Sequence, residues 1–223
     1  METTIKVSVC VPVYGVEKYI EKCVRSLMEQ TMKDSIEFVF VNDCTRDKSI
    51  EILKKIVSEY PERSNQVKIV NHNKNMGLPS ARNTALHNVS GEYIIHCDSD
   101  DWVEPEMCQL MYKCAIETDA DIVICGYNLI TKGKIEHIEA TDSFFANLSC
   151  FVDDFAYYLK NFLLHNPWNK LYLREKIKIP FDVNYFAGED LLFNMEYLCG
   201  CTSIASMRDM MYNYYYMPSD RFK

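Results

Sequence analysis

Apolar residues follow two alternating periodicities through the first 125 positions of the chain. Valines at positions 7, 9, 11 and 13 recur every second residue, which is typical of a β-strand, and residues 17–28 place apolar side chains three and four positions apart, which predicts a helix. Further strands are predicted at 36–41, 67–70, 93–96 and 122–125, and further helices at 52–60, 81–89 and 105–115. We take Ser80 as the N-cap of the third helix. This alternation predicts an α/β fold with a mostly parallel central sheet, helices on both faces and right-handed crossovers.

Three carboxylates follow the fourth predicted strand within four positions. In extended chain Asp98 and Asp100 project to one side, whereas Ser99 and Asp101 project to the other. Mg²⁺ and Mn²⁺ prefer oxygen ligands and are held by one or two carboxylates together with substrate phosphates. Asp-x-Asp at this place therefore suits a clamp for a metal and a diphosphate. Taken alone, the motif is explained more simply by an Asp-rich turn with solvated side chains.

The ends of the other strands decide between these interpretations. Ligands of parallel α/β sheets bind beyond the carboxyl ends of the strands, where one crevice collects the residues that follow each strand. The residues expected there are Tyr14, Glu17, Asp43, Arg82, Asp98, Ser99, Asp100 and Asp101. Unrelated surface turns would not be expected to bring polar groups to the same edge each time. We therefore favour the metal and diphosphate site.

Composition narrows the class of protein. With 223 residues, of which 48% are apolar, the chain is long enough for one globular domain with an extension. Its net charge of −8 argues against a nucleic-acid partner. The ten cysteines include no C-x-x-C pair and are interpreted as reduced cytosolic thiols. We find no signal peptide or membrane span, which predicts a soluble chain and leaves peripheral membrane contact open. No G-x-G-x-x-G or Walker pattern occurs, so a diphosphate would be bound without a glycine loop.

The pattern changes after position 127. Predicted elements are a polar hairpin at 128–140, an aromatic helix at 151–164, a short strand or turn at 168–173 and a strand or lid at 210–216, all expected to cover the crevice. We therefore divide the chain into an α/β portion, 1–127, and a portion at 128–223 that completes the same domain and could be truncated at its C-terminus.

Several polar residues of this second portion have two interpretations. The basic segment formed by Lys170, Arg174, Lys176 and Lys178 could meet a diphosphate or an anionic membrane, but a solvated face is favoured. His165 could approach the metal, although a buried or solvated histidine is favoured. Glu189 and Asp190 open a helix, where carboxylates favour the helix dipole; the functional alternative is a general base.

Five motifs, taken in order, resemble one enzyme family. They are Val-Ser-Val-Cys-Val-Pro-Val-Tyr at 7–14, Val-Asn-Asp at 41–43, Gly-Leu-Pro-Ser-Ala-Arg-Asn at 77–83, Asp-Ser-Asp-Asp-Trp at 98–102 and Gly-Glu-Asp-Leu-Leu-Phe at 188–193. This series resembles the inverting glycosyltransferases of family 2, which have the GT-A fold. The resemblance implies transfer of a sugar from a nucleoside-diphosphate donor, commonly UDP-linked, to an acceptor hydroxyl. It also implies a saccharide or lipid-linked saccharide acceptor, a role in cell-surface polysaccharide synthesis, and a cytoplasmic location, at the inner face of the membrane for a lipid-linked acceptor.

The resemblance also assigns roles to single residues. It puts Pro12, Tyr14 and Glu17 at the nucleoside, Asp43 at the imide N–H of the base, Arg82 near base or phosphate, Asp98 near the ribose with Ser99 beside it, and Mn²⁺ or Mg²⁺ on Asp100. Asp190 would be the catalytic base, with Glu189 as the less favoured candidate. We expect Glu189 to raise the proton affinity of the pair, and Asp190 to lie apart from the metal clamp. Absence of a Gln-x-x-Arg-Trp motif predicts single rather than processive transfer.

Two departures from the family pattern leave the shape of the nucleoside loop open. Cys44-Thr45-Arg46-Asp47 stands where a glycine-containing turn is more usual, and Gly15 replaces the usual asparagine.

Three other classes of protein are alternatives to a glycosyltransferase. A phosphatase of the haloacid-dehalogenase type also carries Asp-x-Asp with magnesium, but after its first strand and before Thr or Val, whereas here Asp101-Trp102 follows. A sugar-nucleotide sensor would keep the crevice without turnover. A purely structural interaction protein would leave the crevice residues unexplained.

Overall fold

The computed structural model describes residues 4–185 and 187–216. The strands in chain order are β1 (Val7–Val13), β2 (Ile36–Asn42), β3 (Val67–Asn71), β4 (Tyr93–His96), β5 (Trp102–Val103), β6 (Ile122–Thr131), β7 (Lys134–Ile138), β8 (Ser143–Phe145), β9 (Lys170–Leu173) and β10 (Ile204–Tyr215). The helices are α1 (Ile20–Met28), α2 (Ser49–Ser58), α3 (Leu78–Asn88), α4 (Met107–Thr118), α5 (Leu148–Lys160) and α6 (Glu189–Cys199), with short 3₁₀ helices at Pro61–Gln66 and Arg174–Lys176. The outer ends of the two predicted portions, at 1–3 and 217–223, lie outside the described residues.

The ten strands of the described residues belong to one sheet. Its order is β3-β2-β1-β4-β9-β6-β10-β5, with β7 paired to β6 and β8 paired to β10. The first four strands are parallel, as predicted. Strand β9 then enters between β4 and β6 and is antiparallel to both, while β6 and β10 are again parallel. The α/β fold class is confirmed. The sheet is mixed because β9, near the centre of the sheet, runs antiparallel to both of its neighbours.

Period-two patterning of β1 explains the two layers around the sheet. Val9 and Val11 belong to the larger core, which also takes the apolar sides of α1, α2 and α4. Cys10 points the other way, into a smaller core with Ala81 and Ala85 of α3. Every residue of β1 is buried, since helices cover both faces. The prediction of helices on both faces is therefore confirmed.

The start of α3 differs from the prediction. Helix α3 begins at Leu78 with Gly77 as its N-cap, so that Ser80 lies inside the first turn. Gly77 has a φ of +87°, which glycine adopts without steric clash because it has no Cβ. Pro79 follows in the first turn of the helix, where proline is tolerated. The prediction of Ser80 as the N-cap was wrong, because the turn at Gly77 starts the helix before Ser80 is reached.

The elements of the C-terminal portion are of the predicted types, but their first and last residues differ from the prediction. Strands β6 and β7 form the predicted hairpin, turning at Lys132 and Gly133. The aromatic helix α5 begins at Leu148, three residues before the predicted start, because the side chain of Asn147 accepts the N–H of Cys150. Within residues 4–185 and 187–216, no helix is both long enough and apolar enough to cross a membrane.

Candidate active site

A cavity of about 950 Å³ opens at the carboxyl ends of β1, β2 and β4. Residues from 127–129, 162–168 and 214–216 contribute to its lining. The predicted site residues that line it are Pro12, Tyr14, Asp43, Arg82, Asp98, Ser99, Asp100, Glu189 and Asp190. Glu17 is the exception among the predicted residues. Its carboxylate accepts the N–H of Lys48 at 3.1 Å, and the side chain does not line the cavity.

The loops after β1 and β2 are fastened to each other. Besides the bond from Lys48 to Glu17, the N–H groups of Gly15, Val16 and Glu17 donate to Thr45 Oγ1 at 2.9 Å, Ser49 Oγ at 3.1 Å and Asp47 Oδ2 at 2.9 Å. Cys44, at a φ of +59°, takes the turn conformation that a glycine would supply. The departure at 44–47 thus still gives a tight turn, and it fixes the segment that presents Tyr14.

The carboxylate of Asp43 is buried at the end of β2. Its Oδ1 accepts the N–H of Met76 at 2.8 Å and lies 2.7 Å from Nδ1 of His72, while Oδ2 accepts the N–H of Gly77 at 2.8 Å. Asp43 therefore fixes the turn that leads into α3, besides facing the cavity. The contact with a nucleobase stays a prediction. Sequence reasoning missed His72, although its place one residue after β3 could have drawn attention to it.

Arg82 joins two carboxylates that are distant in sequence. Its guanidinium is fully buried, donates to Asp98 Oδ1 at 2.9 Å and to Asp190 Oδ1, and lies 3.9 Å from Glu189 Oε1. Burial by itself lowers the pKa of Arg82, but the attraction of Asp98 and Asp190 outweighs it, so that the pKa lies above its usual value. One arginine therefore links Asp190 to Asp98 of the predicted clamp, and the separation of Asp190 from a metal on Asp100 stays a prediction.

The carboxyl group of Asp190 titrates near neutrality. Burial raises its pKa to about 7, Asp98 and Glu189 add to this rise, and Arg82 and Lys170 oppose it. Glu189 acts in the expected direction, but burial is the larger cause. A carboxyl with this pKa is about half ionised at neutral pH, which suits a general base.

The three carboxylates after β4 divide between cavity and core. Asp98 and Asp100 line the cavity, whereas Asp101 is buried beneath it. Asp101 accepts the hydroxyl of Tyr212 at 2.8 Å and the N–H of Tyr215 at 2.7 Å, and the same hydroxyl accepts the N–H of Asp98 at 3.0 Å. Burial, together with Asp100 and Asp98, raises the pKa of Asp101 well above its usual value. Strand β10 therefore holds the loop that carries Asp98 and Asp100. Ser99 also reaches the cavity, against the expected alternation.

The cavity offers few protein ligands to a metal ion. Within the described part of the chain, no group of three or more His, Cys, Asp or Glu side chains could hold one. Asp100 on an open cavity nevertheless fits Mg²⁺ or Mn²⁺, which commonly take one or two carboxylates and complete their shell with phosphate oxygens and water. His165 also lines the cavity. Its Nδ1 is buried without a hydrogen-bond partner among the described residues, and burial with the charge of Lys170 lowers its pKa.

Lys170 is fully buried, so the prediction of a solvated basic face was wrong for this residue. Its ammonium donates to the carbonyl of Leu163 at 2.6 Å, to the carbonyl of Asn166 at 2.5 Å and to Asn169 Oδ1 at 2.7 Å. Burial lowers its pKa to about 7. Lys170 therefore fastens the loop at 163–169, which forms one side of the cavity. Lys178 of the same segment is exposed, as predicted.

Aromatic rings form a further part of the cavity lining. Trp168 stacks on Tyr212 at 4.3 Å and on Tyr214 at 5.3 Å between ring centres, and Tyr127 meets it edge-on at 4.9 Å. We call Tyr127, Phe162, Trp168, Tyr214 and Tyr216 the aromatic wall; all five line the cavity. The predicted aromatic helix at 151–164 and strand or lid at 210–216 include Phe162, Tyr214 and Tyr216, but no motif indicated that rings from four separate segments meet in one wall.

Sequence comparison identifies the family. The family model for glycosyl transferase family 2 matches residues 8–188. The chain belongs to this family. It is 35% identical over 219 residues to the glycosyltransferase GlyA of Streptococcus pneumoniae, which is 94% of this chain and 30% of GlyA. It is 31% identical over 218 residues to the poly(ribitol-phosphate) beta-glucosyltransferase of Bacillus spizizenii, which is 96% of this chain and 32% of that protein. The chain thus spans about a third of the length of these relatives.

Solved structures agree with the family. S. aureus TarS 1-349 in complex with UDP has a TM-score of 0.79 and 25% identity to this chain, covering 97% of this chain and 62% of the TarS chain. A mannosyltransferase of Pyrobaculum calidifontis in complex with GDP-Man and Mn²⁺ has a TM-score of 0.68 at 16% identity, covering 94% of this chain and 56% of that one, and shows a shared fold. The GT-A form of the α/β fold is therefore confirmed.

Proposed function

We propose that this chain transfers a sugar, with inversion and in single steps, from a UDP-sugar to an acceptor hydroxyl in cell-surface polysaccharide synthesis. The observation that carries the proposal is Asp190: a buried carboxyl with a pKa of about 7 that faces the same cavity as Asp98 and Asp100. A base of this kind is needed to remove the acceptor proton as the hydroxyl attacks. Family membership and the relatives named above support the assignment.

The two sides of the cavity suggest how the substrates lie. Residues 1–127 provide Pro12, Tyr14 and Asp43, which we assign to the nucleoside, and Asp98 and Ser99, which we assign to the ribose and its surroundings. Residues 128–223 provide Asp190 and four of the five rings of the aromatic wall, so the acceptor enters from that side. Arg82 lies between them and aligns Asp190 with the donor edge. Glu17 would reach a nucleoside only after leaving Lys48.

Asp100 is the residue that we assign to a divalent metal ion, Mg²⁺ or Mn²⁺. When bound there with the donor diphosphate, such an ion would neutralise charge on the leaving group. TarS is described with UDP, and its likeness to this chain supports a uridine donor. Asp43 supports it chemically, because a carboxylate accepts from the imide N–H of uracil, which cytosine lacks.

The acceptor is a saccharide, free or lipid-linked; a lipid-linked one would place the reaction at the inner face of the membrane. One relative is named for poly(ribitol phosphate), so a polyol-phosphate chain is a second class of acceptor to consider. The chain spans about a third of that relative. A sensor without turnover would need no base, and the raised pKa of Asp190 therefore favours an enzyme.

Calorimetric titration of the full chain with UDP, TDP, GDP and CDP, each with Mn²⁺ and with chelator, tests the donor assignment. We expect UDP to bind most tightly, to require the metal, and to bind Asp100→Ala weakly. Asp153→Ala, which removes an exposed carboxylate of α5, is the matched control and should bind as the unchanged chain does. Failure of every nucleotide to bind would overturn the proposal, and binding that ignores both metal and Asp100→Ala would remove Asp100 from its role.

A further inference from the structure

The charge of the cavity bears on which acceptor it can hold. Its described lining contains five carboxylates, on Asp43, Asp98, Asp100, Glu189 and Asp190, against one guanidinium, on Arg82. That guanidinium is fully buried: its two Nη atoms are bonded to Asp98 and Asp190, and its Nε has no hydrogen-bond partner among the described residues but is itself buried. No cation of the described lining is therefore available to a phosphate or carboxylate of an acceptor. A metal ion on Asp100 would be engaged by the diphosphate of the donor.

Apart from Glu189 and Asp190, the acceptor side is uncharged. The aromatic wall carries no formal charge, and burial and Lys170 lower the pKa of His165 beside it, which favours the uncharged imidazole. An anionic group brought there would lose its hydration without gaining a partner. A pyranose ring has an apolar face of C–H groups that packs on an aromatic ring, and its hydroxyls remain free to reach polar neighbours. The wall therefore matches a neutral sugar.

Phe162 shows that the wall is more than a by-product of packing. Its side chain is 57% exposed, and its φ is +58°, in the left-handed region that a bulky residue rarely adopts. Phe162 follows α5, where a Schellman turn closes the helix. The N–H of Leu163 donates to the carbonyl of Tyr158 at 2.9 Å, and the N–H of Phe162 donates to the carbonyl of Leu159 at 3.2 Å. Glycine is the preferred residue at this place. A strained and exposed phenylalanine at the mouth of the cavity points to a role in contact with a ligand.

We infer that the acceptor is an uncharged saccharide, and that a sugar ring close to the reacting hydroxyl stacks on Phe162 at the edge of the aromatic wall. This inference rests on the proposed glycosyl transfer and deepens it, since it selects neutral saccharides over polyol-phosphate and uronic-acid chains.

A glycan array tests the class of acceptor. The full chain, saturated with UDP and Mn²⁺, is applied to neutral oligosaccharides, uronic-acid oligosaccharides and ribitol-phosphate oligomers. We expect binding to neutral members, with affinity changing less than about twofold between low and high salt, because no ion pair is formed. Stronger binding to the anionic members, or no binding to any neutral member, would overturn the inference. UDP affinity, measured separately, tells failure of the donor site from failure of this inference.

Variants at Phe162 test the contact itself. Phe162→Gly should weaken binding to the best neutral glycan about tenfold or more, while UDP affinity is kept and the thermal midpoint is unchanged or raised, because glycine relieves the left-handed strain. Phe162→Tyr should keep glycan binding. Phe144→Ala removes an equally exposed phenylalanine outside the cavity lining and should change neither ligand. Unchanged glycan affinity in Phe162→Gly would overturn the assigned contact.

Discussion

The two halves of the sheet are built differently. Strands β3, β2, β1 and β4 pair in parallel through consecutive strand-helix units, and their carboxyl ends carry Tyr14, Asp43 and Asp98. In the other half, β9 pairs with β4 and β6, and β10 pairs with β6, β5 and β8. Contacts across large sequence separations place Asp190 and the aromatic wall. The positions of the donor-side residues therefore follow from the order of neighbouring strands along the chain, whereas those of the acceptor-side residues depend on pairing between distant strands.

The largest effect should come from the residue that the second half adds to the first. Asp190→Asn keeps the shape of the side chain but removes the base, so transfer should fall by about 10²–10⁴-fold while UDP affinity changes little. Transfer is measured as release of UDP with a glycan acceptor, and affinity by calorimetry. Equal loss of both would show that the two halves do not divide donor binding and chemistry as we describe.

The pH profile sharpens the same assignment. Because the base acts in its ionised form, the transfer rate of the unchanged chain should rise with pH through about 7, the pKa of Asp190. Glu189→Gln removes a neighbouring negative charge that raises this pKa, so the rise should move to lower pH. If the pH profile of Glu189→Gln is the same as that of the unchanged chain, the group that titrates is not Asp190.

Lys170→Met should destabilise the second half most. The substitution leaves the carbonyls of Leu163 and Asn166 and the side chain of Asn169 without their shared donor, and we expect the free energy of unfolding to fall by about 2–4 kcal/mol. Urea denaturation followed by circular dichroism measures the loss. Lys178→Met, in the same segment but exposed, should change stability by less than about 0.5 kcal/mol. Similar values for both variants would contradict the anchoring role of Lys170.

Tyr212→Phe breaks a bond between the halves without removing a ring. The stack on Trp168 remains, but Asp101 and the N–H of Asp98 lose the hydroxyl, so stability should fall by about 1–3 kcal/mol and metal-supported UDP binding should weaken. Tyr93→Phe is the control, since its hydroxyl donates to the carbonyl of Ala120 away from the cavity. It should lower stability alone. If both variants bind UDP as the unchanged chain does, β10 does not position the Asp98 loop.

Asn147→Ala should have the smallest effect. It removes the side-chain cap of α5, whose Oδ1 accepts the N–H of Cys150 at 3.0 Å, and should cost about 1 kcal/mol of stability. Transfer and UDP affinity should be unchanged, because this end of α5 lies outside the cavity lining. A change in activity larger than the change in stability would mean that the second half is coupled to the site more tightly than its contacts indicate.

Particular residues show where prediction from the sequence succeeded and failed. Asp43, Asp98 and Asp100 were placed at one edge because parallel strands bring their carboxyl ends together. Glu17 was assigned to the same edge, yet its carboxylate accepts the N–H of Lys48, 31 positions away, and does not line the cavity. Lys170 was taken for a solvated cation, since nothing in its local pattern shows that β9 enters the middle of the sheet.

The sequence by itself determined the alternating strand-helix order of the first 125 residues, the two-sided core around β1, and the resemblance to family 2 glycosyltransferases. These features rest on periodicity and on motifs, which are local properties of the chain. Only the folded chain shows that Arg82 bonds to Asp190, 108 positions away, as well as to Asp98, that Asp101 is held by Tyr212, and that five rings form one wall. Such contacts depend on which distant strands pair, and pairing is settled by burial and hydrogen bonding of the whole sheet, which no local pattern encodes.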